Sequence, residues 1–113
     1  MSDVKKETEQ KIAQLQMMEQ NIQTFMMQRQ NFQAQQLEVD NALKELEISK
    51  GDCYKMVGSI MVAADKDKLK KDLESRKEIV ELRLKNIKKQ EDSIKEKAEK
   101  LQSEVIKELK PAK

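Results

Sequence analysis

The sequence predicts a mainly α fold in which two long helices pair as an antiparallel coiled-coil hairpin, with one short β-hairpin between them. About half of the 113 residues are Ala, Glu, Lys, Leu or Arg, a share typical of long or coiled-coil helices. Large apolar residues recur every seven positions in each half, and both glycines lie in the centre. With 39% charged and 3% aromatic residues, a thick globular core is excluded. The periodicity argues against disorder, so we expect a single domain over residues 1–113.

The first helix is expected over about residues 3–49. One heptad position is apolar throughout and comprises Met18, Phe25, Phe32, Val39 and Leu46. A second position is apolar except in the middle and comprises Leu15, Ile22, Arg29, Gln36 and Leu43. No Gly or Pro interrupts residues 2–50. Because a stripe this narrow stabilises a helix only when it packs against another element, the first helix needs a partner.

The centre predicts a β-hairpin over about residues 53–63. Gly58-Ser59 between β-branched and large apolar residues is typical of a two-residue turn led by glycine. This register opposes Val57 with Ile60, Met56 with Met61, and Tyr54 with Ala63. We also expect Gly51 to adopt the left-handed conformation after the first helix, and Asp65 or Asp67 to cap the second.

Both faces of this hairpin are apolar, although an isolated two-stranded ribbon is marginally stable and its edges invite pairing. We therefore expect the hairpins of several chains to form a larger sheet or barrel. The expected assembly residues are Tyr54, Met56, Val57, Gly58, Ile60, Met61 and Val62. The alternative is a hairpin folded back onto its own helix ends.

The second helix is expected over about residues 66–109, before Pro111. Its heptad residues are Leu73, Val80, Ile87, Ile94 and Leu101 in one position, with Leu69, Leu84, Ala98, Val105 and Leu109 in the alternate one. The two helices have nearly equal lengths, and the short centre leaves no room for a parallel return. Antiparallel pairing then places Leu46 near Leu69 and Leu15 near Leu101. In this alignment four polar residues interrupt the apolar stripe: Arg29, Gln36, Arg83 and Gln90.

The inventory of reactive residues argues against an enzyme. The chain has no histidine and one cysteine, Cys53, so the common general acid–base residue and a cysteine-rich zinc site are missing. We expect no catalytic residues, no metal and no cofactor. The lysines of the second half alternate with glutamates, which argues against nucleic-acid binding. The residues after Met1 form no apolar stretch, so we expect neither a signal peptide nor a membrane span, and a cytoplasmic location.

The central residues resemble a known family. Tyr54-Lys55-x-Val57-Gly58, followed by Ile60-x-Val62, Leu73-x-x-Arg76 and the stretch from Arg83 to Gln90-Glu91, is similar to the β-type subunit of prefoldin in its archaeal form. The resemblance implies a hexamer of two α-type and four β-type subunits, with β-barrels built from hairpins and coiled coils that project from them. It further implies an ATP-independent co-chaperone that holds non-native proteins and delivers them to a group II chaperonin.

Apolar residues at the helix ends remote from the hairpin are candidates for client binding. They are Val4, Ile12, Leu15, Met18, Leu101, Val105, Ile106 and Leu109. If these ends splay, their apolar surface becomes available to an unfolded chain. Met17, Met26 and Met27 offer flexible thioethers for the same purpose; the alternative is that they are ordinary surface residues. The alternative function is a structural coiled-coil adaptor or spacer that binds one folded partner.

Overall fold

The computed structural model describes the backbone of residues 2–109 and the side chains of residues 6–109. The element order is α1 (Ser2–Ile48), β1 (Cys53–Val57), β2 (Ile60–Ala64) and α2 (Lys66–Leu109). The expected fold class, two long helices with one antiparallel β-hairpin between them, is confirmed. Formation of a barrel by several chains stays a prediction.

The end of α1 differs from the expectation for Gly51. Among the described glycines, Gly58 has a positive φ and Gly51 does not, so the left-handed assignment of Gly51 was wrong. Two backbone carbonyls at this end of α1 accept hydrogen bonds from other groups. The Ser49 amide donates to the Glu45 carbonyl at 2.9 Å, and Lys66 Nζ donates to the Ser49 carbonyl at 2.8 Å.

The start of α2 is capped by Asp65. Its Oδ1 accepts a hydrogen bond from the Asp67 amide at 3.2 Å, the contact by which an N-cap satisfies a free amide of the first turn. The Asp65 carbonyl also accepts the Leu69 amide at 2.9 Å. Of the two expected candidates, Asp65 is therefore the cap.

The β-hairpin has the expected register, with Val57 opposite Ile60, Met56 opposite Met61 and Tyr54 opposite Ala63. Gly58 has φ 63°, whereas Ser59 has no positive φ. A positive φ at the first turn position alone defines a type II′ turn, which matches the twist of two antiparallel strands. The prediction of a glycine-led two-residue turn is confirmed.

The helices contribute to two compact units, and the first comprises residues 1–29 and 86–113. In this unit Thr8 contacts Glu108 and Arg29 contacts Glu91. The partner's number falls as the α1 number rises, so the segments pair antiparallel. The inward-facing positions, which we call the seam, bury Ile87 and Val105. Gln90 is exposed while Glu91 is buried. The expectation that Gln90 interrupts the seam was wrong, because the heptad of Leu84, Ala98 and Val105 passes through residue 91.

The second unit comprises residues 30–85 and contains the hairpin. Its α1 and α2 segments also pair antiparallel, with Val39 and Val80 buried in the seam and Lys77 Nζ 3.2 Å from Asp40 Oδ1. Arg83 is exposed, with its guanidinium 5.7 Å from the centroid of the Phe32 ring. Arg83 therefore flanks the seam and does not interrupt it as expected, because Leu84 occupies the inward position.

Candidate functional site

The β-hairpin exposes apolar side chains on both of its faces. Tyr54, Met56 and Met61 share one face, and Val57, Ile60 and Val62 share the other. All six are 48–64% exposed. The helices of the same unit leave these side chains exposed on both faces. The alternative, in which the hairpin folds back onto its own helix ends, therefore does not bury them. The expected assembly residues thus form a two-sided apolar surface, held in place by the Gly58 turn.

An open groove lies beside β1 in the same unit. It has a volume of about 570 Å³ and lies between strand residues Tyr54 and Met56 and the helix residues Leu46, Leu69 and Leu73. Charged residues also line it: Glu45, Asp52, Lys55, Asp72 and Arg76. The apolar surface of the hairpin therefore continues onto the adjoining helix ends.

The terminal helix segments present a second apolar surface. Ile12, Ile106 and Leu109 are exposed. Leu15, Met18 and Leu101 lie half-buried in the seam, and Val105 is 6% exposed. Leu109 does not occupy the seam as its heptad placement suggested, because the spacing after Val105 brings Glu108 inward. Val4 belongs to α1, but its side chain lies outside those that the structure describes.

A polar cluster lies in the seam next to these residues. We call it the terminal clasp and define it as Thr8, Lys11, Glu104 and Glu108. Thr8 is 6% exposed, and its Oγ1 donates a hydrogen bond to Glu108 Oε2 at 2.7 Å. Lys11 donates to Glu108, and its Nζ lies 3.5 Å from Glu104 Oε2. The contact between Thr8 and Glu108 takes the place of apolar packing in the outermost seam layer that the structure describes.

The clasp shifts the titration of its charged groups. The hydrogen bond from Lys11, followed by that from Thr8, lowers the pKa of Glu108. The hydrogen bond to Glu108 in turn raises the pKa of Lys11. Sequence reasoning missed this cluster because it considered apolar residues alone. The available signal was the heptad itself, which continues outward from Met18 and Leu15 to Lys11 and Thr8.

A second polar group lies deeper in the same unit. Glu91 is 3% exposed, and its carboxylate oxygens lie 3.3 Å from Arg29 Nε and 3.1 Å from Lys95 Nζ. Arg29 Nε is buried, yet it is not aligned for a hydrogen bond. Such a pair inside an apolar seam favours one register over others at some cost in stability.

The described residues include neither a cluster suited to hold a metal ion nor a helix suited to span a membrane. Among them, no group of three or more His, Cys, Asp or Glu side chains is placed to hold a metal ion. No helix in this part of the chain is long and apolar enough to cross a membrane.

Comparison with solved structures defines the class of protein. The chain superposes on the crystal structure of the prefoldin beta subunit from Thermococcus strain KS-1 with a TM-score of 0.86 and 30% identity, covering 94% of this chain and 95% of that one. The prefoldin beta2 subunit of the same strain shares the fold, with a TM-score of 0.71 at 19% identity over 79% of this chain and 97% of that one. The fold is therefore that of a β-type prefoldin subunit.

Sequence comparison then gives the family. A family model described as "Prefoldin subunit" matches residues 9–112. The prefoldin beta subunit of Pyrobaculum calidifontis is 37% identical over 90 residues, which cover 78% of this chain and 72% of the relative. That of Methanothrix thermoacetophila is 35% identical over 96 residues, which cover 83% and 80%. The chain belongs to the prefoldin family of chaperone subunits, and its predicted resemblance to the β type is confirmed.

Proposed function

We propose that this chain is a subunit of an ATP-independent holdase, which captures non-native proteins at the helix ends and passes them to a group II chaperonin. The observation that carries the proposal is the match to archaeal prefoldin β subunits over most of the chain, in both sequence and fold. The free thiol of Cys53 fits the reducing cytoplasm, where we expect the protein to act.

Assembly is the first part of the proposal. A two-stranded hairpin with both faces apolar is marginal in water, and its six large side chains are 48–64% exposed here. Joining strands from other chains would bury both faces and pair the strand edges. The proposed partners are the prefoldin α-type subunit and further β-type subunits.

Client capture is the second part. Ile12, Ile106 and Leu109 expose apolar surface on the terminal segments, and each Å² removed from water contributes about 25 cal/mol. An unfolded chain offers apolar side chains without a fixed shape, so scattered aliphatic contacts suit it. Leu15, Met18, Leu101 and Val105 would join this surface only where the paired helices separate.

A substitution experiment tests the client site. The chain is assembled with an α-type subunit, and aggregation of a denatured protein is followed by light scattering without nucleotide. Replacing Ile12, Ile106 and Leu109 with serine should reduce the suppression of aggregation severalfold while assembly persists. The matched control replaces Ile79 and Leu82, which are exposed apolar residues of α2 in the other unit. Equal suppression by the triple variant and the wild type would contradict the client-site assignment.

Transfer to a chaperonin needs a separate measurement. A labelled client is bound to the assembled complex, and a group II chaperonin is added without ATP. We expect the label to move into the chaperonin fraction in size-exclusion chromatography. If the complex instead binds one folded protein and no denatured client, the chain is a structural adaptor and the proposal fails.

A further inference from the structure

We propose that one face of α1 in the first unit binds extended, uncharged segments of non-native proteins. We call it the neutral face and define it as Ala13, Met17, Gln20, Thr24 and Met27. The inference rests on the proposed holdase function and extends its client contacts from the helix ends to a surface along α1.

The neutral face follows helical geometry. Its residues are spaced by four, three, four and three positions, which places them on one side of a helix with 3.6 residues per turn. All five are exposed, and the two methionines are 65% and 71% exposed. The seam of the same segment is formed by other residues, among them Met18 and Phe25. The neutral face is therefore not needed to pair the helices.

The neutral face carries no charged side chain, unlike the α2 segment of the same unit. Residues 12–28 of α1 contain one charged side chain, Glu19, which lies roughly a third of a turn round the helix from the neutral face. The α2 segment from Asn86 onward is instead rich in lysine and glutamate throughout. A charged ligand segment would find no partner on the neutral face and would lose part of its hydration there. The matching ligand is uncharged.

The side-chain chemistry favours an unfolded ligand. Methionine is flexible and adapts to partners of variable shape, and a glutamine amide can donate to and accept from a peptide backbone. Thr24 Oγ1 donates to the Gln20 carbonyl at 3.0 Å, so the hydroxyl is satisfied within the helix and the methyl group remains for contact. The face contains no Trp, Tyr or Arg, the residues that anchor most folded partners.

Peptide binding by the assembled complex tests the proposal. Two labelled unfolded peptides of equal length are compared, one built from Leu, Ala, Gln and Ser, the other with Lys and Glu at alternate positions. Fluorescence anisotropy gives the Kd of each for the wild type, for M17E/M27E, and for the control I79E/L82E. The control adds the same charge at exposed apolar positions of α2.

The inference predicts that the wild type prefers the neutral peptide and that M17E/M27E binds it at least about fivefold more weakly. The control should stay within about twofold of the wild type. A photo-crosslinker at position 17 should label the neutral peptide. Unchanged binding by M17E/M27E, or labelling of another subunit in place of the peptide, would overturn this inference alone. If the wild type binds neither peptide nor any denatured client, the proposed function fails and this inference with it.

Discussion

At the scale of single residues, Glu108 defines the outermost seam layer among the described side chains. Its carboxylate accepts hydrogen bonds from Thr8 and Lys11, so an ionised side chain occupies a position that an apolar residue holds one layer further in. These bonds favour the charged form of Glu108 and lower its pKa below the usual 4.5. They also raise the pKa of Lys11 above 10.5. Both groups are therefore charged over the whole neutral range.

We predict that the clasp weakens in acid. Because the pKa of Glu108 is lower in the folded state than in the unfolded state, its contribution to stability is present above pH 4.5. It is lost as the pH falls through the folded value. The contribution of Lys11 is lost only above pH 10.5. The protection of amide hydrogens near Val105, measured against free peptide rates at the same pH, should fall in the wild type as the pH drops below 4.5.

The matched variants are Glu108→Gln and Glu96→Gln. Glu108→Gln should show faster exchange already at neutral pH and a flatter pH dependence. Glu96 belongs to an exposed pair with Lys100 at 3.7 Å, so its substitution should leave exchange near Val105 unchanged. Identical pH profiles for Glu108→Gln and the wild type would contradict the role assigned to the clasp.

The buried pair of Arg29 and Glu91 leads to a second prediction at this scale. Glu91→Ala removes the carboxylate and leaves the partly buried Arg29 without this counter-charge. We expect a loss of about 1–3 kcal/mol in the free energy of unfolding, less than for a fully buried pair because Arg29 is partly exposed. Denaturation in urea measures it.

The double variant Arg29→Leu/Glu91→Leu separates stability from specificity. It continues the apolar seam and should be as stable as the wild type or more so. The helices of this variant should also pair in more than one register or with other chains, which sedimentation would detect as additional species. A double variant less stable than Glu91→Ala would contradict this account of the pair.

At the scale of elements, the glycine in the β-hairpin turn and the glycine after α1 differ in backbone conformation. Gly58 has φ 63°, whereas Gly51 has no positive φ. A Cβ atom added at either glycine would have no neighbouring atom within 4 Å, so an alanine side chain meets no steric obstacle at either site. Only the backbone conformation differs between them.

We predict that Gly58→Ala destabilises the hairpin by at least about 1–2 kcal/mol, the cost of the left-handed helical region for an L-residue, because the first central position of a type II′ turn is less accessible still. Gly51→Ala should be neutral or stabilising by up to about 1 kcal/mol. Amide exchange of the strand residues in the assembled complex measures both. Equal effects of the two substitutions would show that the turn does not require a positive φ.

At the scale of the whole molecule, the chain leaves much of its apolar surface uncovered. Within the described residues, the seam buries few side chains below a tenth of their surface, whereas Tyr54, Met56 and their neighbours on the hairpin remain exposed. A partner that covers such a surface binds only the folded state and therefore stabilises it. This property links the fold to the proposed assembly.

We predict that Val57→Glu/Ile60→Glu prevents assembly without unfolding the helices. The two residues oppose each other across the strands, so the substitution places two like charges on one face of a shared sheet. Sedimentation should show small species while far-UV circular dichroism retains its helical signal. Ile79→Glu/Leu82→Glu serves as the control and should assemble normally. A particle of unchanged size in the Val57/Ile60 variant would refute the role of the hairpin.

The seam residues show how far prediction from sequence reached. Leu15, Phe25, Ile87 and Ile94 lie inward, as their heptads predict. Apolar residues that recur every seven positions fall on one side of a helix, and that side is the one that packs. Arg83 and Gln90 were misplaced by one position, since a polar residue within a heptad leaves no apolar signal of its own. The terminal clasp was missed for the same reason. The client-binding residues stay predictions.

The sequence by itself determined the two helices, the β-hairpin with its register, and the resemblance to β-type prefoldin subunits. These features depend on local signals: a seven-residue apolar repeat, a Gly-Ser turn and a short central motif. Only the tertiary structure decided that Glu91 meets Arg29, that Glu108 meets Thr8 and Lys11, that Asp65 caps α2 and that Gly51 needs no left-handed backbone. The heptads pass through residues 91 and 108, but a repeat indicates only that a position faces inward. Which polar group it meets on the other helix, and which of two local caps forms, depends on contacts that a single sequence does not contain.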